Sequence, residues 1–206
     1  MPKSRREREK EEMKERILQT ASRIIGEKGF DQLSIRQIAK EIEYSPSIVY
    51  HYFKDKEDIV NQVMQRGYGK IISSIAHVDP ATDTPEGQLS EMTRNYIEAA
   101  LKMPDEFLAA QTNDSEVALK QMTTLYKGSS KERPALNALC QSIREINKDV
   151  SAQEEDIENT AQLIAVATLG LIVKLIVEKG VDETHKNTLI NRYCDEMVIR
   201  MAKRGE

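Results

Sequence analysis

The chain has 206 residues, 39% of them hydrophobic, 31% charged and 5% aromatic, with no Trp, nine Gly and six Pro. That length buries a core without disulfide or metal staples; the apolar fraction excludes wholesale disorder, and the shortage of aromatic, Gly and Pro residues argues against a barrel or sandwich of short strands and for helices. The formal net charge is -4, but residues 1–58 hold 13 Lys/Arg against 12 Asp/Glu and residues 59–206 hold 17 against 22, so overall acidity does not exclude nucleic acid, which responds to a local patch.

The start, MPKSRREREK, is read as a flexible basic arm over residues 1–8, in which Lys3, Arg5 and Arg6 follow a neighbouring groove or merely add charge. Residues 9–28 carry Met13, Ile17, Leu18, Ala21, Ile24 and Ile25 at helical spacing, and Gly29 ends that helix, with Phe30 as an apolar latch. Ser34 is placed to N-cap a short second helix whose stripe is Ile35, Ile38, Ala39 and Ile42. Ser45-Pro46 starts a third, Ser as cap and Pro where its missing N–H costs nothing, leading into Ser47-Ile-Val-Tyr-His-Tyr-Phe53. Asp55 caps a fourth, from about Lys56 to Ile75, loosened at Gly67-Tyr-Gly69. A loop is expected over 77–87. Further helices are expected over 88–103, 104–111, 115–126, 134–146, 152–179 and 183–203.

Two short helices joined by a tight turn between Ser34 and Phe53 form a helix-turn-helix candidate. Ile38, Ala39, Ile42, Val49 and Phe53 hold the pair together. Ser47, Tyr50 and His51 then face outward as groups that enter a major groove about 12 Å wide and bond base edges or phosphates. Ser45 and Pro46 lie at the amide-rich start of the same helix. Lys54 and Lys56 reach the flanking backbone from the next helix, and Ser34, Arg36 and Gln37 from the one before. Tyr52, beside Phe53, also reads as a core aromatic, and the charge run 5–16 also reads as a solvated helical face.

Gly29-Phe-Asp-Gln-Leu-Ser-Ile-Arg-Gln-Ile-Ala39, followed by Ser45-Pro-Ser-Ile-Val-Tyr-His-Tyr-Phe-Lys-Asp-Lys-Glu-Asp-Ile59, resembles the DNA-binding domain of TetR-family transcriptional regulators over roughly residues 10–65. Where that family usually has Gly in the turn, a small apolar residue after it and often Gly early in the recognition helix, this chain has Glu43, Tyr44 and Ser47. A Glu held at positive φ costs on the order of 1 kcal/mol relative to Gly. The resemblance implies an all-α protein of nine to ten helices. A three-helix DNA-binding domain (1–58) would precede a helical domain (59–206) that binds a small effector and dimerises. It further implies a repressor on a palindromic operator in double-stranded DNA.

The tail reads compatibly. Residues 152–179 would span roughly 40 Å at 1.5 Å per residue, apolar nearly all round in the second half, and such a helix must be buried on every side. With the last helix it would close a four-helix interface between two chains, for which Ile164, Thr168, Leu171, Leu175, Ile190, Tyr193, Met197 and Met201 are the candidates. Met64, Tyr68, Met92, Tyr96, Phe107, Gln111, Met122, Tyr126, Cys140, Ile143 and Ala167 are the candidates for an effector cage, the alternative being plain core. Cys140 and Cys194 stand far apart without a CxxC partner, so no zinc module or disulfide framework is indicated; buried packing is expected of them, with a redox sensor as the alternative. No metal, cofactor or enzymatic constellation stands out. Without an apolar segment after the basic start, a cytoplasmic protein with no membrane association is expected. A helical protein–protein adaptor is the alternative from another class, separated from the first by the polar, basic outward face around Tyr50.

Overall fold

The computed structural model describes residues 4–30, 32–75, 84–111, 119, 123–148 and 153–203. Among them every regular element is helical: α1 (Arg5–Lys28), α2 (Ile35–Glu41), α3 (Pro46–Tyr52), α4 (Lys56–Ile75), α5 (Pro85–Leu101), α6 (Pro104–Gln111), a 3₁₀ turn (Ser129–Lys131), α7 (Pro134–Ile146), α8 (Glu154–Val177) and α9 (Glu183–Arg192), which continues through a π turn (Tyr193–Val198) into Ile199–Ala202.

The chain forms two compact units. The first comprises the described residues up to Tyr68 together with α6; the second comprises Gly69–Met103 and the described residues from Thr123 onward. The expected boundary at 58/59 is therefore ten residues early, because the opening turns of α4 belong to the first core: Ile59, Val60, Val63 and Met64 are buried with Ile17, Leu18, Ile24, Ile38, Val49 and Phe53. The loosening expected at Gly67–Gly69 is absent, since α4 is continuous there. In the first unit α6 packs on α1. Phe107 is buried, and the Ser22 hydroxyl donates to Glu106 at 3.0 Å.

The basic arm expected over 1–8 is, from residue 5, helix. Ser4 Oγ accepts from the Glu7 amide at 3.3 Å while the Glu7 carboxylate accepts from the Ser4 amide at 2.8 Å. This reciprocal capping box stabilises a first turn that has no apolar side chain to bury. Lys3 lies outside the described residues. So do 77–83 of the expected loop and 115–118 and 120–122 of the expected helix over 115–126, the last including Met122. The rest of that loop is the start of α5, where the Thr84 hydroxyl accepts from the Gly87 amide and Pro85 opens the helix. Residues 123–128 are non-helical, and Gly128 turns the chain at φ 85°.

In the second unit α5, α7, α8 and α9 share a core built on Leu89, Leu136, Cys140, Ile143, Ala161, Ile164 and Val198. Stretch 124–130 is fastened to α8 by two polar side chains. The Glu158 carboxylate accepts from the Gly128 and Ser130 amides at 2.7 and 2.8 Å, and the Gln162 amide donates to the Thr124 and Tyr126 carbonyls. These amide bonds hold the Glu158 carboxyl below the usual carboxylate range. At the far end Asn147 donates to the Ile143 and Ala202 carbonyls at 2.8 Å each, tying α7 to the last turn of the chain.

Along α9 the buried positions are Ile190, Cys194, Val198 and Ala202, one every four residues. Four residues of ordinary α-helix overshoot a full turn by about 40°. The wider π turn at Tyr193–Val198 takes up that drift and keeps all four side chains inward.

Candidate nucleic-acid interface

Ser34 N-caps α2, its hydroxyl accepting from the Gln37 amide at 3.2 Å. Ile38 and Ala39 bury the inner face of α2. Behind them the chain reverses within a few residues: the Tyr44 amide donates to the Ala39 carbonyl at 2.9 Å, and Glu43 takes φ 62°, the one non-Gly positive φ among the described residues. That is the left-handed geometry expected of the turn, met here by a residue with a Cβ.

Pro46 opens α3, and Val49 and Phe53 pin it to the core at 0% and 2% exposure. Ser45, Pro46, Ser47, Tyr50 and His51 all face outward; Tyr50 is 58% exposed. The hydroxyl of Ser45 does not cap the helix as expected. It lies 2.6 Å from the Ser47 hydroxyl, so the two serines form one polar unit at the start of the reading face. Tyr52 packs against the core, and its ring stands edge-on to His51 with centroids 5.2 Å apart, which fixes the imidazole on the outer side. Next comes the start of α4: the Asp55 carboxylate accepts from the Asp58 amide at 2.8 Å, and Asp58 in turn accepts from the Lys54 amide at 3.0 Å. Lys54 is exposed and Lys56 half-buried.

On α2, Arg36 is exposed, but Gln37 is half-buried. With its amide nitrogen toward the Gln32 carbonyl (2.7 Å), Gln37 accepts from Lys28 at 3.1 Å. Its side chain thus has partners within the chain. Two further contacts beside the reading helix had not been read from the sequence. Tyr44, 44% exposed, follows the turn beneath the Arg16 guanidinium, 5.7 Å from its ring centroid, and Lys14 stands 5.6 Å from the Phe53 ring centroid. Only the aromatic identity of Tyr44, where a small residue was expected, hinted at the first.

The effector candidates do not come together as one set. Met64 belongs to the first core, and Tyr68, Phe107 and Gln111 lie in the same unit. Met92, Tyr96, Cys140 and Ile143 belong to the second core. Ala167 is half-buried on α8, and the Tyr126 hydroxyl donates to Glu132 at 2.7 Å, a bond that raises its pKa. Periodicity selects buried residues, and buried residues of two units were pooled.

Three of the dimer candidates are turned into the chain's own core: Ile164, Thr168 and Ile190 are 0%, 3% and 4% exposed, and the Thr168 hydroxyl meets both the Ile164 carbonyl and the Tyr193 hydroxyl. Leu171, Leu175, Tyr193 and Met201 are half-buried, while Met197 is 53% exposed. The apolar side chains α8 leaves uncovered are Leu163, Val166 and Val177, at 61%, 44% and 57% exposure. A helix apolar all round does not disclose which stripe its own chain covers. By length and composition α8 is also apolar enough to cross a bilayer.

A short helix fixed by its inner face to a second one, offering a polar outer face beside a lysine-bearing helix start, defines a helix-turn-helix DNA-binding protein. The sequence model of the bacterial regulatory proteins of the tetR family matches residues 17–63, which span α2, α3 and the turn between them. An HTH-type transcriptional regulator of Staphylococcus aureus (strain bovine RF122 / ET3-1) is 23% identical over 190 residues, 90% of this chain and 95% of that protein. A solved regulatory protein of the tetR family from Rhodococcus RHA1 superposes with a TM-score of 0.66 at 19% identity, over 93% of this chain and 97% of that one. A Saccharomonospora viridis protein described as a transcriptional regulator, solved in complex with choline, gives 0.65 at 18% identity, over 90% and 97%. The match over residues 17–63 supports a TetR-family transcriptional regulator, and that family is one of DNA-binding regulators and not of enzymes.

Proposed function

We propose that this protein is a ligand-responsive repressor that binds a palindromic operator as a homodimer in the cytoplasm, with the first unit carrying DNA recognition and the second effector binding and dimerisation. The observation that carries the reading is the outer face of α3. Ser47, Tyr50 and His51 are exposed while Val49 between them is fully buried, so the helix offers hydrogen-bonding side chains on a rigid support. In this reading Tyr50 and His51 reach base edges, and the Ser45–Ser47 pair, Ser34, Arg36, Lys54 and Lys56 hold phosphates. Two reading heads must sit about one helical turn of DNA apart. A second copy laid on Leu163, Val166, Val177 and Met197 sets that distance and covers the apolar face at once. The choline found in the S. viridis protein supports a small organic molecule as effector. It acts by binding better to a dimer shape whose head spacing is wrong for DNA.

The test is selection of bound duplexes from a random pool with full-length protein, followed by Tyr50→Ala on the enriched site. The expected result is an enriched inverted repeat, a loss of about 1–3 kcal/mol of binding and an unchanged oligomeric state. Enrichment of no sequence, or full affinity in Tyr50→Ala, contradicts the reading.

A further inference from the structure

The recognition helix carries no Lys, Arg, Asp or Glu. Across residues 34–58 four cations (Arg36, Lys40, Lys54, Lys56) face five anions (Glu41, Glu43, Asp55, Glu57, Asp58). Duplex DNA is held chiefly by neutralised phosphates, so this reading head needs positive charge from outside itself.

The first turns of α1 supply it. Residues 4–12 are exposed throughout, the helix standing clear of the core until Met13. Their alternating charges sort by face. Glu7 is held in the capping box, Glu9 pairs with Arg5 at 2.8 Å, and Glu15 pairs with Arg66 at 2.5 Å. Arg6, Lys10 and Lys14, spaced four apart, fall on one face and continue the line of Ile17 and Ala21, which α1 turns to its core. Among the described residues no ion pair takes any of the three. The stripe starts beside the recognition helix: Lys14 stands over Phe53 at its end, and Arg16 over Tyr44 just before its start. From Lys14 to Arg6 it runs about 12 Å, at 1.5 Å per residue.

We infer that the N-terminal turns of α1 are a second DNA-contacting element, in which Arg6 and Lys10 hold backbone phosphates flanking the groove occupied by α3. The inference rests on the DNA-binding reading above and adds to it an element that carries affinity without sequence preference.

The experiment uses full-length protein and a fluorescent duplex of arbitrary sequence, about three helical turns long, titrated over a range of salt. Replacing Arg6 and Lys10 together by Ala keeps helix propensity and removes two contacts per protomer. The expected effect per protomer is a salt slope flatter by about 1.8 and, at about 0.15 M salt, affinity lower by about 30-fold. Arg5→Ala removes an equal charge from the same helix, but one already paired with Glu9, and leaves slope and affinity near those of the wild type. The inference is overturned if the double variant keeps the wild-type slope, or if Arg5→Ala flattens it as much per charge. Wild-type protein showing no salt-dependent binding to duplex DNA overturns the DNA-binding reading itself, a result distinct from either.

Discussion

Leu163 and Ile164 are neighbours in sequence with opposite surroundings: the first is 61% exposed on α8, the second 0%. Burying a whole Leu side chain yields about 1.5–3 kcal/mol, so covering the exposed share of Leu163 yields about 1–2 kcal/mol per copy, and two-fold symmetry doubles it. Leu163→Ser therefore weakens association by about 2–4 kcal/mol, roughly 30- to 1,000-fold in dissociation constant, with the protomer fold intact. Ile164→Ser does the reverse, destabilising the protomer by about 2–5 kcal/mol or more. Gly170→Ala provides an independent variant: its Cβ meets nothing within 4 Å inside the chain, so the protomer gains only helix propensity, about 1 kcal/mol, and a change in association beyond that belongs to the interface. Sedimentation equilibrium gives the association constant and circular dichroism melting gives the fold. A wild-type protein that stays monomeric through the micromolar range, or a Leu163→Ser variant that associates as tightly as its parent, refutes the assignment of this face.

Three further outcomes follow from local chemistry. Glu43→Gly relieves the strained φ of 62° and stabilises by about 1 kcal/mol, raising Tm by about 2–4 °C; an unchanged melt contradicts the strain. Glu158→Gln gives up the carboxylate that accepts from the Gly128 and Ser130 amides and costs about 1.5–3 kcal/mol near neutral pH. Because the folded carboxyl titrates below its unfolded value, the wild-type advantage is present above the unfolded pKa and is lost as pH falls through the folded one; a difference that persists in strong acid is inconsistent with this. Burial pushes the Cys194 thiol up to about 12 and raises Cys140 as well, so in the folded protein neither is a ready thiolate, against a redox-sensing role. Protons retained by the fold stabilise it fully below the unfolded thiol range and progressively less as pH rises through it. Rapid labelling of either thiol by a disulfide reagent at pH 7 in native protein contradicts this.

The first unit was largely legible in sequence because each of its short helices carries its own punctuation: Ser34 as cap, Pro46 at a helix start, Asp55 ahead of α4, and an apolar stripe narrow enough to name one inner face. The outward set Ser47, Tyr50 and His51 followed from that stripe. The start of α1 was read four residues late, since attention to apolar periodicity passes over a helix turn stabilised only by Ser4 and Glu7, although the S-x-x-E spacing was present. The internal partners of Gln37, Lys28 and Gln32, had no signal in the sequence, because only the fold brings them near. In the second unit helix positions were recoverable but orientations were not. With apolar residues on every side of α8, the choice of Ile164 and Thr168 over Leu163 and Val166 had no local signal to guide it, and which buried residues share one unit is a matter of tertiary connectivity.

The final helix is wound to its own gauge. Its pitch matches the sequence period of the side chains it hides, so the number of residues between Tyr193 and Val198 works as a phase setting for everything downstream. Excising one of the exposed residues Asp195, Glu196 or Met197 sets the hidden positions four, three and four apart, the period of ordinary winding, so the backbone relaxes while Val198 and Ala202 stay turned inward. The Ala202 carbonyl then keeps its place before the Asn147 amide that donates to it, so the extra residue is absorbed where it stands and nothing of it reaches the chain's end.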